Sequence, residues 1–155
     1  MAGRHHYAIG LTWTGNTGEG TATYRSYRRT NEVTAAGKPP IAGSSDPHFR
    51  GDADRWNPEE LLVAALSQCH LLSFLHMAAT AGVVVVGYTD AATGTLATEG
   101  VGGRMTEVVL RPVVAVASAD MAGQCAGLHE QAHAACFIAA SVNFPVRHEP
   151  TVAVA

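Results

Sequence analysis

Residues 57–79, NPEELLVAALSQCHLLSFLHMAA, are the stretch that most constrains the fold of this chain. Asn57 is a favourable N-cap residue, and Pro58 suits the first helical position because its missing N–H costs nothing there. The apolar run that follows ends at about Thr80, and Gly82 is placed as the C-cap glycine. The stretch therefore predicts one long, very apolar helix with a cysteine in its middle.

Length and composition limit the class of protein to which this chain can belong. The chain has 155 residues, 47% of them apolar and 15% charged, with a formal net charge of -3. This favours a single globular domain over residues 1–155 and argues against disorder and against nucleic acid as a partner. The N-terminus alternates apolar residues without a continuous apolar run, which is typical of a strand and not of a signal peptide, so we expect a cytoplasmic protein.

Residues 61–86 are the only candidate for a membrane span in the sequence. Gln68, His70, His76 and Gly82 interrupt them, so we expect a buried core helix and a strand, with no membrane partner. In a reducing cytosol the three cysteines of the chain are thiols, metal ligands or catalytic groups before they are structural disulfides.

The remaining sequence predicts strands around two helices. Alternation over residues 7–13 and 21–29 indicates an opening antiparallel hairpin, and residues 35–56 form a long loop that we expect to border a site. The further predicted elements are two strands, a helix and a last strand: residues 83–97, 104–118, 121–141 and 145–155. Asp120 is the expected cap of the second helix, and Pro150 marks an edge or a bend in the last strand. This order predicts an α+β fold.

Cys69 and Cys136 each lie within a predicted apolar helix and follow small residues. For either one alone, packing is the simpler interpretation, because free cysteine is among the most buried residue types. As a pair they are more informative, since small residues allow two helices to approach closely. A disulfide between them requires Cα atoms within about 7 Å, which the sequence leaves open. Cys125 is expected to be a packing residue.

The sequence HEQAH, residues 129–133, matches the H-E-x-x-H pattern of zinc hydrolases. His129 and His133 share a helix face with Cys136, so a three-ligand metal site is geometrically allowed. The preferred interpretation is an exposed polar helix face with Glu130 in solvent, because a chain of this size would struggle to enclose a substrate cleft. We therefore predict no metal and no cofactor, with a metal-dependent hydrolase as the alternative.

Taken together, NPEELLVAALSQC and AHAACFIAASV, separated by two strands and preceded by a hairpin and a long loop, resemble the OsmC/Ohr family of thiol peroxidases. The resemblance implies an OsmC-like α+β fold, with an antiparallel sheet, a long central apolar helix, a second cysteine-bearing helix and an intertwined homodimer. It also implies reduction of organic hydroperoxides, with a small dithiol or a lipoyl-type protein as the reductant.

The resemblance also implies roles for individual residues. Cys69 occupies the peroxidatic position, Cys136 the resolving position, and Glu59 the position of the glutamate in Asn-Pro-Glu. The sequence FIAASV follows Cys136 where many members have Cys-Pro, which is a departure from the family pattern.

An arginine is expected to assist the thiolate. One branch of the family carries it just before the Asn-Pro-Glu helix, where Arg50 lies two residues after His48, and the other in the first hairpin, where Arg25 and Arg28 are available. We expect Arg50. A thiolate in an apolar site needs such a cation, and arginine supplies one without titrating, while a carboxylate can hold the guanidinium in place.

Helix geometry constrains these roles. His70 points about 100° away from its neighbour Cys69, so it is a poor hydrogen-bond partner for that thiol. Glu59 and Cys69 are separated by roughly 15 Å of helix rise, so they cannot touch along one straight helix. We therefore expect Glu59 to come from the partner subunit of a homodimer in which the apolar helices pack antiparallel. A binding module without turnover, sensing apolar ligands or oxidants, is a third possibility.

Overall fold

The structure is a computed structural model that describes residues 3–155, and it consists of two compact units. The N-terminal unit extends to Leu61, and the C-terminal unit comprises Leu62–Ala155. The boundary falls within the long helix predicted from residues 57–79.

The N-terminal unit is built on a three-stranded antiparallel sheet in the order β1-β2-β3. Its strands are β1 (Gly10–Trp13), β2 (Asn31–Thr34) and β3 (Ile41–Gly43), followed by a 3-10 turn at Pro47–Phe49. The predicted second strand at residues 21–29 is therefore wrong, and the predicted loop at residues 35–56 contains a strand.

Local side-chain contacts explain why residues 21–29 do not form a strand. The Ser26 hydroxyl donates to the carbonyl oxygens of Gly20 and Thr23, and its oxygen accepts from the Thr23 N–H. Such bonds give the backbone an alternative to strand pairing. Tyr24 and Tyr27, three residues apart, stand edge to face with ring centroids 6.5 Å apart and form a local cluster.

Helix α1 (Pro58–Thr80) has the predicted bounds. At its start the Glu60 N–H donates to Asn57 Oδ1 at 2.8 Å, and the Asn57 N–H donates to the Glu60 carboxylate at 3.3 Å. These reciprocal bonds form a capping box. At its end Gly82 has a φ of 72°, and the Val83 N–H donates to the Ala78 carbonyl at 2.9 Å, as in a Schellman motif. The predicted start and stop of this helix are confirmed.

The C-terminal unit contains two three-stranded sheets, in the orders β4-β7-β9 and β5-β6-β8. The strands are β4 (Val85–Asp90), β5 (Thr93–Glu99), β6 (Gly102–Leu110), β7 (Pro112–Val116), β8 (Val146–His148) and β9 (Thr151–Val154). The pairs β4/β7 and β5/β6 are antiparallel, whereas β6/β8 and β7/β9 are parallel. The expectation of a purely antiparallel sheet is thus corrected to mixed sheets within an α+β fold.

Each of the two long strands predicted at residues 83–97 and 104–118 is divided in two. The Asp90 carboxylate explains the division, since it accepts from the Arg111 N–H at 2.6 Å and from the Ser67 hydroxyl at 2.5 Å. These bonds fix the positions at which the chain leaves one sheet and enters the other. The last predicted strand is likewise divided, with Pro150 at the bend between β8 and β9.

The second predicted helix is shorter than expected and is interrupted. It consists of α2 (Ala119–Ala122) and α3 (Cys125–Ala135), and Ser118, not Asp120, precedes its first residue. Cys136 lies just beyond α3 in an extended conformation, with φ -73° and ψ 110°. The chain turns there because the Ala140 N–H donates to the Cys136 carbonyl at 3.1 Å and starts a short 3-10 segment. The placement of Cys136 inside a helix was therefore wrong.

The buried apolar core lies in the C-terminal unit and forms two clusters. The first surrounds Phe74, Val114 and Leu128, and the second surrounds Leu66 and Val108. Helix α1 contributes a single buried face to them, at residues spaced four apart: Leu66, His70, Phe74 and Ala78.

The opposite surface of α1 is apolar yet exposed, and Leu72 is 60% accessible. By length and composition alone α1 could cross a membrane, a test that core helices of soluble proteins also pass. The expectation of a buried core helix is met on one face only.

Candidate active site

The structure brings Cys69 and Cys136 together. Cys69 lies partly buried in the middle of α1, and Cys136 is 2% exposed just beyond α3. Their side chains are close enough for Cys69 to affect the pKa of Cys136, and neither sulfur takes part in a disulfide. We refer to these two residues as the cysteine pair.

The surroundings of Cys136 favour its neutral thiol. Burial raises the pKa of the Cys136 thiol, and the contact with Cys69 raises it further. The Ala139 N–H donates to the sulfur at 3.4 Å, which opposes this effect. Cys136 is thus a shielded thiol, whereas Cys69 is the more accessible member of the pair.

Cys125 lies in the apolar core and is fully buried. Its thiol contacts the carbonyl oxygen of Met121 at 3.7 Å, and burial raises the pKa of Cys125. This environment is that of a packing residue, as the sequence predicted.

Glu59 and Glu60 have different roles at the start of α1. Glu60 closes the capping box with Asn57, while Glu59 lies half-buried in the first turn. Glu59 is therefore not used by the helix cap, and its carboxylate is available for another partner.

The three arginines considered from the sequence, Arg25, Arg28 and Arg50, line one pocket of the N-terminal unit. We call it the arginine pocket; it has a volume of about 190 Å³. The carboxylate of Asp52 contributes to its wall and pairs with the Arg28 guanidinium at 3.4 Å. Arg50 follows the 3-10 turn, is exposed, and has a φ of 66°, a left-handed conformation uncommon outside glycine.

A fourth arginine, Arg29, also lines this pocket and was missed in the sequence. Its guanidinium donates to the carbonyl oxygens of Tyr27 at 2.6 Å and Tyr24 at 2.7 Å, and lies 4.1 Å and 4.3 Å from the centres of their rings. These partners hold the cation in place without neutralising it. The signal in the sequence was the spacing of the two tyrosines before the arginine, which we interpreted as strand alternation.

Arg29 also borders an apolar cavity of about 590 Å³ in the N-terminal unit. The cavity is lined mainly by large apolar side chains: Ile9, Leu11, Trp13, Val33, Trp56 and Leu61. A cavity of this volume and lining suits a small apolar molecule with one polar end.

The two ends of the HEQAH segment have different surroundings. His129 is fully buried, and its Nδ1 lies 2.9 Å from Nε2 of His70. Glu130 is exposed and contacts Nε2 of His148 at 3.5 Å. Within residues 3–155 no group of three or more His, Cys, Asp or Glu side chains is arranged to hold a metal ion. The expected exposed polar face is correct for Glu130 and wrong for His129, because the ring of His129 packs in the core.

Comparison with known proteins places this geometry in a family. A family model described as OsmC-like protein matches residues 51–151. A solved OsmC-like protein of unknown function from Vibrio cholerae is 35% identical, with a TM-score of 0.85 over 95% of this chain and 99% of that chain. Comparison with curated proteins gave no match.

Two more distant structures share the fold. An organic hydroperoxide resistance protein from Elizabethkingia anophelis is 22% identical, with a TM-score of 0.67 over 98% of this chain and 99% of that chain. One from Legionella pneumophila is 17% identical, with a TM-score of 0.66 over 97% and 99%. On the family match and the 35% identity, this chain belongs to the OsmC-like protein family.

Proposed function

We propose that this protein is a thiol-dependent peroxidase that reduces organic hydroperoxides to alcohols. The observation that carries the proposal is the contact between two free cysteines, one accessible and one shielded. Structures named as organic hydroperoxide resistance proteins share the fold and support peroxide defence as the role.

The reaction proceeds in three balanced steps. The Cys69 thiolate attacks the terminal oxygen of the hydroperoxide, the O–O bond breaks, and the alkoxide leaves as an alcohol after taking up a proton. The Cys136 sulfur then attacks the Cys69 sulfenic acid, and the thiol proton leaves with the hydroxyl as water. A dithiol, either a small molecule or a lipoyl-type protein, reduces the disulfide and is itself oxidised.

The difference in burial supports this assignment of roles. Cys69 is the thiol that a substrate reaches more easily, and Cys136 is nearly inaccessible to it. A shielded thiol with a raised pKa is a poor attacking group toward peroxide but is protected from direct oxidation.

The cation that stabilises the Cys69 thiolate is, in this proposal, an arginine, with Arg50 as the expected residue. The C-terminal unit contains three arginines and no lysine. Arg111 pairs with Glu149 at 3.2 Å, Arg147 pairs with Glu107 at 2.7 Å, and Arg104 lies exposed on β6 near its hairpin turn. By contrast, Arg50, our expected residue, and Arg29 carry no carboxylate partner among the described residues of their unit.

We further propose that the active form is a homodimer. Helix α1 is continuous over Pro58–Thr80, so Glu59 and Cys69 are roughly 15 Å apart along it. Glu59 then serves the cysteine pair of the other subunit. The exposed apolar surface of α1, including Leu72 and Leu75, supplies the area for such an interface.

Cysteine variants test the function. Cys69→Ser is expected to abolish consumption of cumene hydroperoxide, because a hydroxyl is far less acidic and less nucleophilic than a thiol. Cys136→Ser is expected to complete one turnover and then accumulate sulfinic and sulfonic acid at Cys69. Cys125→Ser, which changes a packing residue, is the matched control and keeps activity.

Intact-mass spectrometry after one equivalent of peroxide gives the decisive measurement. The wild type is expected to lose two hydrogens, with the Cys69 and Cys136 peptides linked. A link through Cys125 would reassign the resolving role, and an oxidised Cys136 beside an intact Cys69 would overturn the mechanism.

A further inference from the structure

A buried hydrogen bond between two histidines joins the elements that carry the cysteine pair. His70 follows Cys69 on α1, and His129 lies on α3, which ends just before Cys136. Their side chains are 1% and 0% exposed, and Nε2 of His70 lies 2.9 Å from Nδ1 of His129. Among the described residues, this is the one side-chain hydrogen bond between α1 and α3.

Aromatic packing holds the two rings in place. Their planes are nearly parallel, at 6°, with centroids 5.2 Å apart. The Phe74 ring, one turn beyond His70 on α1, stacks on His129 with a centroid distance of 4.0 Å. This packing restricts movement of the two imidazole rings relative to each other.

Stability alone does not account for this pair. In the neutral state one ring donates and the other accepts, so the two outer nitrogens are left as one N–H and one bare acceptor. Those atoms, Nδ1 of His70 and Nε2 of His129, are buried without a hydrogen-bond partner in the described part of the chain. Replacing two such partners by apolar groups of the same shape is often neutral or stabilising. What the hydrogen bond adds is a defined distance and orientation between two helices.

That geometry matters next to a pair of thiols that must form a bond. A disulfide tolerates Cα separations of only about 4.4–6.8 Å and a narrow range of torsion angles. A shift of α3 along α1 would therefore change the separation of Cys136 from the Cys69 sulfur.

We propose that the hydrogen bond between His70 and His129 positions the Cys136 sulfur for attack on oxidised Cys69. The two histidines are positioning residues, since they act through the helices and not on the substrate. The proposal rests on the proposed function, and the step it governs is the second one, in which the new S–S bond expels the group bound to the Cys69 sulfur.

Several titratable groups face the two rings. His148 on β8 lies against both, with centroid distances of 5.3 Å to His70 and 6.0 Å to His129, and Glu130 contacts its far side. His133 on α3 and Asp90 on β4 act on His70 through space. Burial, aided by the neighbouring imidazoles, lowers the pKa of each ring to about 4. Both rings are therefore neutral at pH 7, where one ring supplies the N–H and the other the acceptor nitrogen of the bond.

Disulfide closure can be measured without peroxide. An aromatic disulfide reagent added to the reduced protein first forms a mixed disulfide at the accessible Cys69, releasing one aromatic thiolate. Attack by Cys136 then closes the intramolecular disulfide and releases the second. The rate of the second release reports positioning, and it is independent of peroxidase activity, so failure of the proposed function and failure of this inference are distinguishable.

His70→Leu removes the bond at similar volume and is expected to slow the second release about tenfold, with the first release unchanged. His70→Gln places an amide near the position of Nε2 and is expected to restore the rate to within about threefold. His76→Leu, at an exposed histidine on the same helix, is the matched control and leaves both rates unchanged.

The pH profile provides a second measurement that a purely structural role would not change. The N–H···N bond needs one unprotonated nitrogen between the rings, so it breaks when both rings are protonated. Wild-type closure is therefore expected to fall more steeply as the pH drops through about 4 than closure in His70→Gln, whose amide oxygen still accepts from protonated His129, while thiol ionisation affects both equally. If His70→Leu unfolds, the comparison of the wild-type and His70→Gln pH profiles still tests the proposal. Parallel profiles, or an unchanged second release in folded His70→Leu, would overturn the proposal.

Discussion

The two units of this chain differ in what they bury. The C-terminal unit encloses the apolar core and the cysteine pair, and two of its three arginines are paired with carboxylates. The N-terminal unit leaves large apolar side chains exposed, with Leu11 66% and Trp56 51% accessible, and holds four arginines around one pocket. The cysteine pair thus lies in one unit, and the arginine pocket and an apolar cavity lie in the other.

The proposed chemistry makes two demands on the protein. A thiolate in an apolar environment needs a positive charge that does not titrate, and an organic peroxide needs apolar surface. The N-terminal unit has an apolar cavity and the arginine pocket, and the C-terminal unit has the cysteine pair. Exposed apolar side chains on α1 are the surface on which the proposed homodimer depends.

The variant with the largest expected effect is one that prevents two copies of the chain from associating. Leu72→Glu places a charge on the exposed apolar surface of α1, and burying an unpaired carboxylate in an interface costs several kcal/mol. We expect a monomer by sedimentation at micromolar concentration and loss of most peroxidase activity. Gln131→Glu adds the same charge at an exposed position of α3 and is expected to change neither property. A fully active monomer would contradict the proposal that the active form is a homodimer.

Arginine variants test which guanidinium supports the Cys69 thiolate. Arg29→Lys loses the planar contacts with Tyr24 and Tyr27 and is expected to lower kcat/KM by about 10- to 100-fold if Arg29 supports the thiolate. Arg50→Lys is the matched variant, and the larger loss identifies the functional residue. The rate of Cys69 alkylation across pH provides a second measurement, since loss of the supporting cation shifts that profile upward. Equal and negligible losses would remove both arginines from the mechanism.

Acid stability tests the core of the C-terminal unit alone. His70 and His129 have pKa values lowered to about 4 by burial, whereas an unfolded histidine titrates near its ordinary value of about 6.5. Between these values the unfolded chain binds more protons, so stability is complete above pH 6.5 and declines as the pH falls toward 4.

The expected loss by pH 4 is about 3 kcal/mol for each of the two histidines, or about 6 kcal/mol together, measured by urea unfolding at several pH values. His70→Gln is expected to show a shallower decline, and exposed His76→Gln the wild-type decline. An unchanged slope in His70→Gln would mean that the pair does not couple to folding.

The smallest expected effect concerns the HEQAH segment. Glu130 is exposed and contacts only His148 among its described neighbours, so Glu130→Gln is expected to leave peroxide consumption within about twofold of wild type. Elemental analysis of the purified protein is expected to show no stoichiometric zinc. Chelator-sensitive hydrolysis of an ester or a peptide, lost in Glu130→Gln, would reverse the ranking of functions.

Predictions succeeded where local chemistry decides. The bounds of α1 follow from an N-cap, an acidic first turn and a terminal glycine, all within a few residues of the ends they control. The α+β class and the family also followed from local motifs and their order. Predictions failed where a short run of residues fitted more than one structure. Residues 21–29 were predicted to form a strand, but their tyrosines pack against the guanidinium of Arg29.

The sequence by itself determined the long apolar helix, the position of Cys69 on it and the family to which the chain belongs, because those features depend on neighbours in the chain. Only the tertiary structure decided that Cys69 meets Cys136 outside a helix, that His129 bonds His70 in the core, and that Arg29 joins the arginine pocket. Each of these is a contact between residues distant in sequence or a product of backbone turns. No spacing rule specifies such contacts, because they depend on how whole elements pack against one another.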